Sequence, residues 1–382
     1  MCPLSGYSIR KTYDLPEPKP LLRIPGDSKD RYGFYPPAGA DVIVPPATGQ
    51  PMLWARPGNT NDCRNTNLGR RNAKCKSPNK GYEKPVPYNS KRYRSNAPKY
   101  SGSTCYDGTK RHIEIGCAGE LHFKKLMEIC FDDVRYTTLY VKATIVPPTA
   151  AYQRGSKRPY FIQDQHYPSW MALYDLYSIE NQRGTIGHIL GSSELGYAYI
   201  NVNYFLSKGH LAAKADFVCD FQQSATFYYE NVAPQWQTFN GGNWEALESS
   251  VRAYADRRKL DLVVYTGTYG VATLPDVNGI ETELYLHVDR NNNKALPVPK
   301  LFWKAVYDPK SKAGVVFVGI NNPYVTNPQG DYLICTDVCS KIYWVNWDQE
   351  NIKKGYSYCC EVDDFRSKVK YLPQFTVSRL LI

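Results

Sequence analysis

The stretch FLSKGHLAAKADF, residues 205–217, closes an apolar run on Lys208-Gly209-His210 and then turns to small residues. A Gly-His dipeptide alone carries almost no information, and the chain supplies its own control. Gly187-His188 stands in GTIGHILG, residues 184–191. What separates the two is the downstream sequence. After His210 comes TFYYENVAPQWQTFNGGNWEALESSVR, residues 226–252, with Asn231 and Asn240 standing 21 and 30 positions past the histidine. The same steps from His188 reach Gly209 and Val218, neither of which has a side chain able to ligate. The end of the segment has a helical pattern. Trp244, Leu247, Val251 and Tyr254 recur every three or four residues, Asn243 is placed to cap, and Glu248 and Arg252 fall one turn apart.

Taken singly these residues are unremarkable. Asn231 and Asn240 read as turn and cap residues, Glu248 and Arg252 as an exposed ion pair, and Asp216 as a structural cap. Only the joint register points to a site.

Around this segment the runs TTLYVKATIVPP, GYAYINVNYFL, KLDLVVYTGTYG, TELYLHV and AGVVFVGI are β-branched and aromatic and bounded by turn residues, which predicts strands. Strands around one well-marked helix predict an α+β domain over residues 140–382. Residues 1–139 form a separate region. Its first 55 residues are rich in Pro and Gly and predict short extended strands. From about residue 61 to 111 there is a basic stretch. Thirteen Lys and Arg between Arg64 and Arg111, Lys91, Arg92 and Arg94 among them, face only Glu83 and Asp107, and five tyrosines are interleaved. Its Pro, Asn, Ser and Gly content predicts a long loop. Such a loop suits nucleic acid, with cations along phosphates and rings on unpaired bases; a solvated surface loop is the alternative.

The chain has 382 residues, 42% of them hydrophobic, with no run near the roughly 20 residues of a membrane helix. The net charge of +11 favours a polyanionic partner, nucleic acid or an acidic polysaccharide. Eleven cysteines at irregular spacings, without a CxxC pair, argue against zinc and for a disulfide framework with one cysteine over, for which Cys2 is the candidate. Disulfides place the protein in a secreted, extracellular setting. The first residues lack the apolar core of a signal peptide, so an exported chain would have lost its leader. No Walker loop, GxSxG elbow, GxGxxG or internal repeat is present.

SKGHLAAKADF followed by ENVAPQWQTFNGGNWEALESSVR resembles the DNA/RNA non-specific endonucleases, whose active site is a ββα-metal (His-Me finger) unit. The resemblance covers roughly residues 140–382, and with the cysteine-containing first third the whole chain is similar to secreted arthropod members from gut and salivary gland. It implies a ββα-metal core with a central antiparallel sheet and a metal-site helix, after a β-rich, disulfide-containing N-terminal region. It implies His210 as the general base, Asn231 as the residue that positions it or its water, and Asn240 as the single protein ligand of Mg²⁺, for which Mn²⁺ can substitute. Glu248 then holds the waters of the ion, Arg252 neutralises the phosphate, and Arg158 in SKRPYF is the upstream phosphate-binding arginine. The chain departs from the family where Asp-Arg precedes Gly-His. Here Ser207-Lys208 stands instead, and a lysine grips phosphate less firmly than an arginine fork.

The expectation is therefore a secreted, Mg²⁺-dependent endonuclease acting on DNA and RNA, with no membrane and no obligate protein partner. Two alternatives stand beside it: a nucleic-acid-binding salivary protein with attenuated nuclease activity, and an acidic-polysaccharide binder.

Overall fold

The computed structural model describes residues 98–118, 123–152, 158–218 and 220–382, and the backbone of four short strands before them. Those strands, β1 (Leu21–Arg23), β2 (Tyr32–Gly33), β3 (Asp41–Val44) and β4 (Leu53–Ala55), form an antiparallel sheet in the order β2-β1-β3-β4. They agree with the short-stranded start expected from composition. Lys91, Arg92, Arg94, Cys2, Cys63 and Cys75 lie outside the described residues.

Next come β5 (Lys99–Cys105), β6 (Lys110–Ala118), β7 (Phe123–Asp132) and β8 (Thr137–Ile145). Among the described residues β9 (Leu206–His210) and β10 (Val232–Trp236) pair only with each other, and β11 (Leu262–Val271) follows. Two small hairpins are β12 (Thr273–Pro275) with β13 (Glu281–Glu283), and β14 (Tyr285–Val288) with β15 (Lys294–Pro297). The chain then forms β16 (Pro299–Asp308), β17 (Ala313–Ile320), β18 (Ser357–Cys360) and β19 (Arg379–Leu380).

Among the described residues nine strands make one sheet in the order β18-β17-β16-β11-β8-β7-β6-β5, antiparallel except that β19 adds to β17 in parallel. Strand β8 runs through residues 139 and 140, so the ladder continues across the boundary expected there.

Both faces of this sheet are covered, and β16 shows how. Phe302 and Val306 point into the larger core, while Leu301, Trp303 and Ala305 point into a second core on the other face. That is the period-two alternation of a pleated strand. The helix Glu245–Arg258 lies on the larger-core face, with Leu247 and Val251 fully buried. Each such side chain contributes roughly 1.5–3 kcal/mol. The opposite face is covered by the helix Val362–Lys368 and the segment carrying Tyr371 and Phe375.

Three expectations change. GYAYINVNYFL is not a strand: Ser193–Tyr199 is helical, and only its final Leu enters β9. Gly191 in the left-handed region (φ 76°) ends the helix Ile179–Leu190, and Ser192 caps the next helix by accepting from Leu195 N. A Cβ on Gly196 would come within 2.4 Å of Arg183 O, so the close crossing of these helices needs that glycine. Asn243 does not cap its helix; its amide bonds the backbone of Asp348 and Gly355. The basic stretch is not loop to its end, since from Lys99 it forms the β5–β6 hairpin, turning at Asp107-Gly108 with positive φ at both. Its cations there are paired: Lys99 with Glu114 at 3.5 Å, Lys110 with Asp132 at 3.2 Å and Arg111 with Asp133 at 2.6 Å.

Disulfides join Cys105–Cys130, Cys335–Cys360 and Cys339–Cys359. The last two bind the segment 335–341 against β18. There Val338 N donates to Cys359 O at 2.9 Å, and Cys359 N donates to the Asp337 carboxylate at 3.1 Å. Among the described residues no helix is long and apolar enough to cross a membrane.

Candidate active site

Strands β9 and β10 form an antiparallel ribbon in the register His210↔Val232 to Leu206↔Trp236, and the helix Glu245–Arg258 follows it. The ribbon is held to the large sheet by side chains. Asn321 accepts from Trp236 N (2.9 Å) and donates to Pro234 O and Pro299 O, while Thr138 Oγ1 donates to Glu230 O at 2.6 Å. Gly209 provides clearance within the ribbon, because a Cβ there would meet the Gln235 side chain at 2.4–2.5 Å.

His210 is 9% exposed, and its Nε2 has no hydrogen-bond partner among the described residues. Its ring lies 5.1 Å from Phe161 and 5.0 Å from Phe227. Burial first, then Arg158 and Lys214, push its pKa down to about 3, so the imidazole is neutral across the physiological range. His188, the control, is exposed near the end of the helix Ile179–Leu190.

Lys208 lies on the same face as His210, two residues away. Its Nζ is 5.9 Å from the Phe161 ring, 5.4 Å from Tyr174 and 5.0 Å from Tyr177, and burial lowers its pKa. Arg158 is exposed, with its guanidinium 5.4 Å from the Phe227 ring. Lys208 and Arg158 thus flank His210, each across one of the two rings that touch it.

Asn231 is fully buried and bonds backbone on both sides of its amide. It accepts from Ala212 N (2.8 Å) and donates to Ala212 O (2.9 Å) and Thr226 O (3.0 Å). It therefore fixes the chain just after His210 rather than touching the imidazole. Asn240 opens the wide turn Asn240–Trp244 that leads into the helix. Its Nδ2 donates to Ser207 Oγ at 3.1 Å, and its Oδ1 has no hydrogen-bond partner among the described residues.

Glu248 and Arg252 do not pair with each other. Arg252, 7% exposed, donates from Nη1 to Asp216 Oδ1 (2.8 Å) and from Nη2 to Ser249 Oγ (3.0 Å). Glu248 is half-buried; burial raises its carboxyl to about 7 while Lys304 draws it down. Lys304 escaped the sequence reading. It is 1% exposed on β16, on the same face as Phe302 and Val306, with Nζ 2.7 Å from Thr266 Oγ1 and 5.2 Å from the Trp244 ring. Its sequence signal, a lysine within the apolar run KLFWKAVY, is weak alone. Asp216, read as structural, is the partner that orients Arg252.

Lys208, His210 and Arg158 thus gather about Phe161 and Phe227. Asn240 is tied to Ser207 on the alternate face of β9, and Glu248 and Arg252 stand along the helix with Asp216 and Lys304.

A family model for the DNA/RNA non-specific endonucleases matches residues 106–365, which takes in the ribbon, the helix and every one of these residues. The chain belongs to this family. Non-specific endonucleases of this kind use a divalent metal ion, and the match begins upstream of residue 140, inside the hairpin of β5 and β6. Among individual relatives, this chain is similar to a salivary endonuclease of Lutzomyia longipalpis, 32% identical over 66% of this chain and 59% of that one. It is also similar to salivary protein Tsal2A of Glossina morsitans morsitans, 26% identical over 66% and 62% of the two chains. The chain thus spans about three-fifths of the length of these curated relatives. A solved EndoG/EndoGI complex is similar over 66% of this chain and 87% of that chain, with 16% identity and a TM-score of 0.40.

The residues present suit such an ion. Asn240 offers a free amide oxygen at the start of a helix whose first turn carries Glu245 and Glu248. An all-oxygen set of amide and carboxylate is the chemistry of a hard cation that keeps most of its waters. The cluster Asp337, Cys339 and Cys359 is not a second centre, since both cysteines are in disulfides.

Proposed function

We propose that this protein is a secreted endonuclease that hydrolyses phosphodiester bonds of DNA and RNA, single- and double-stranded, with little sequence preference. The observation that carries the reading is His210: a buried, neutral imidazole with a free Nε2, flanked by the two cations Lys208 and Arg158.

In this reading His210 takes the proton of the attacking water, and Lys208 and Arg158, across the Phe161 and Phe227 rings from it, hold the phosphate. Arg252, oriented by Asp216, offsets the charge that builds on the phosphate. Asn240 would hold a divalent ion, Mg²⁺ with Mn²⁺ as substitute, and Glu248 would hold its waters; such an ion would supply charge that stabilises the leaving 3′ oxygen. Grip on backbone phosphates carries no base identity, which accounts for low specificity. The disulfides and the salivary names of the relatives support secretion, and they support extracellular or dietary nucleic acid as substrate.

One observation favours the second reading, a nucleic-acid-binding protein with attenuated turnover. Two guanidinium nitrogens of Arg252 are already committed to Asp216 and Ser249. Plasmid nicking separates the readings. Cleavage abolished by EDTA and restored by Mg²⁺ or Mn²⁺ is the expected result, and undiminished cleavage in EDTA removes the metal-dependent assignment.

A further inference from the structure

Ser207 stands where the family pattern has an aspartate, and its hydroxyl has two neighbours. Its Oγ donates to the Gln235 carbonyl at 2.9 Å across the ribbon and lies 3.1 Å from Asn240 Nδ2. A hydroxyl has one proton. With that proton spent on Gln235 O, Oγ can only accept from Asn240. The carboxamide is thereby fixed with its NH₂ inward and Oδ1 outward. A hard cation binds an amide through oxygen alone, so the flipped amide would turn its NH₂ toward the ion.

We infer that Ser207 is a positioning residue for the metal site, selecting which atom of Asn240 faces the ion. The inference rests on the reading of Asn240 as metal ligand. The chain of bonds runs Gln235 O, Ser207 Oγ, Asn240 Nδ2, so the rigid β9–β10 ladder sets the orientation of the ligand. The requirement at position 207 is an acceptor facing Asn240. Threonine meets it with the same hydroxyl, aspartate meets it without the donor, and alanine fails it.

The test is a titration of Mn²⁺ into the whole protein, followed by calorimetry or by the spin-resonance signal of the free ion. Ser207→Ala should bind Mn²⁺ about 10-fold more weakly, at the lower end of the effect of removing a partner that orients a metal ligand. Ser207→Thr and Ser207→Asp should stay near the parent. The maximal nicking rate at saturating metal should fall far less in Ser207→Ala than the metal affinity, a split that general loss of structure would not give. If Ser207→Ala binds Mn²⁺ like the parent while Asn240→Ala does not, the role given to Ser207 is wrong and the metal site stands. If Asn240→Ala also binds like the parent, the ligand assignment fails and the inference fails with it. If Ser207→Asp and Ser207→Thr weaken binding as much as alanine, an acceptor is not what the position supplies.

Discussion

His210 sits against two phenyl rings, with burial and the cations Arg158 and Lys214 all acting against a proton on it, and this fixes how the residue should behave. His210→Ala should lower turnover roughly 10²–10⁴-fold with affinity for nucleic acid nearly intact, while His188→Ala leaves both unchanged. Equal losses in the two variants would make His210 a structural histidine. The pH dependence has a definite sign. The folded pKa is depressed to about 3, against an unfolded value near 6.5, so between those values the unfolded chain binds the extra proton. Stability from this group is present above about pH 6.5 and is lost as pH falls toward 3. The His210 ring, followed by its own imidazole NMR resonances, should accordingly titrate below pH 6.5 even though Glu248, raised to about 7, contributes a limb of its own to kcat/KM. A His210 titration at or above 6.5 would sink the assignment. Lys208 is the other residue to change. An arginine there would stack on the same rings and present a fork to phosphate. Lys208→Arg should raise kcat more than it alters KM, on the order of 5- to 30-fold from about one charge-assisted hydrogen bond. A fall in kcat would mean that the site is built round the lysine.

At the scale of elements, the Arg252–Asp216 pair bolts the helix Glu245–Arg258 to the turn that follows β9. Both groups are buried, so Asp216→Ala should destabilise the fold by about 3–5 kcal/mol in urea unfolding, chiefly by stranding a guanidinium. A loss under 1 kcal/mol would mean that Arg252 finds solvent instead. The pair joins residues 36 apart, which is why the sequence showed Arg252 beside Glu248 and hid its real partner. Elements with strong periodicity were legible. The helix Glu245–Arg258 and strands β8, β11 and β17 lie where their patterns put them. GYAYINVNYFL misled because aromatic and β-branched residues imitate a strand, whereas a left-handed glycine and a serine cap decide the chain's course. Asn243 misled in the same way, since its true partners lie more than 100 residues on.

Across the whole molecule, charge and sheet edges matter most. The described cations of the basic stretch, Lys99, Lys110 and Arg111, are spent on carboxylates, so any grip by this stretch falls to its earlier residues. Neutralising Lys91, Arg92 and Arg94 together should weaken binding to nucleic acid and flatten its salt dependence, by about 0.9 in slope for each phosphate no longer neutralised. An unchanged slope would leave these three to solubility. That the sheet runs from β5 to β18 was the least legible feature, because β5–β7 precede the region that carries the motif yet hydrogen-bond directly into it.

The cover over β18 has a consequence of its own. An open edge strand is a template on which a second chain can sew itself, and β18 is denied that role because Val338 and Asp337 occupy the backbone of Cys359. Two disulfides hold that cover in place. They therefore act as a guard against polymerisation as well as a stabiliser of the fold. Mild reduction should show itself first as light scattering that grows with protein concentration, while the ribbon that carries His210, which holds no cysteine, stays folded inside the growing assemblies.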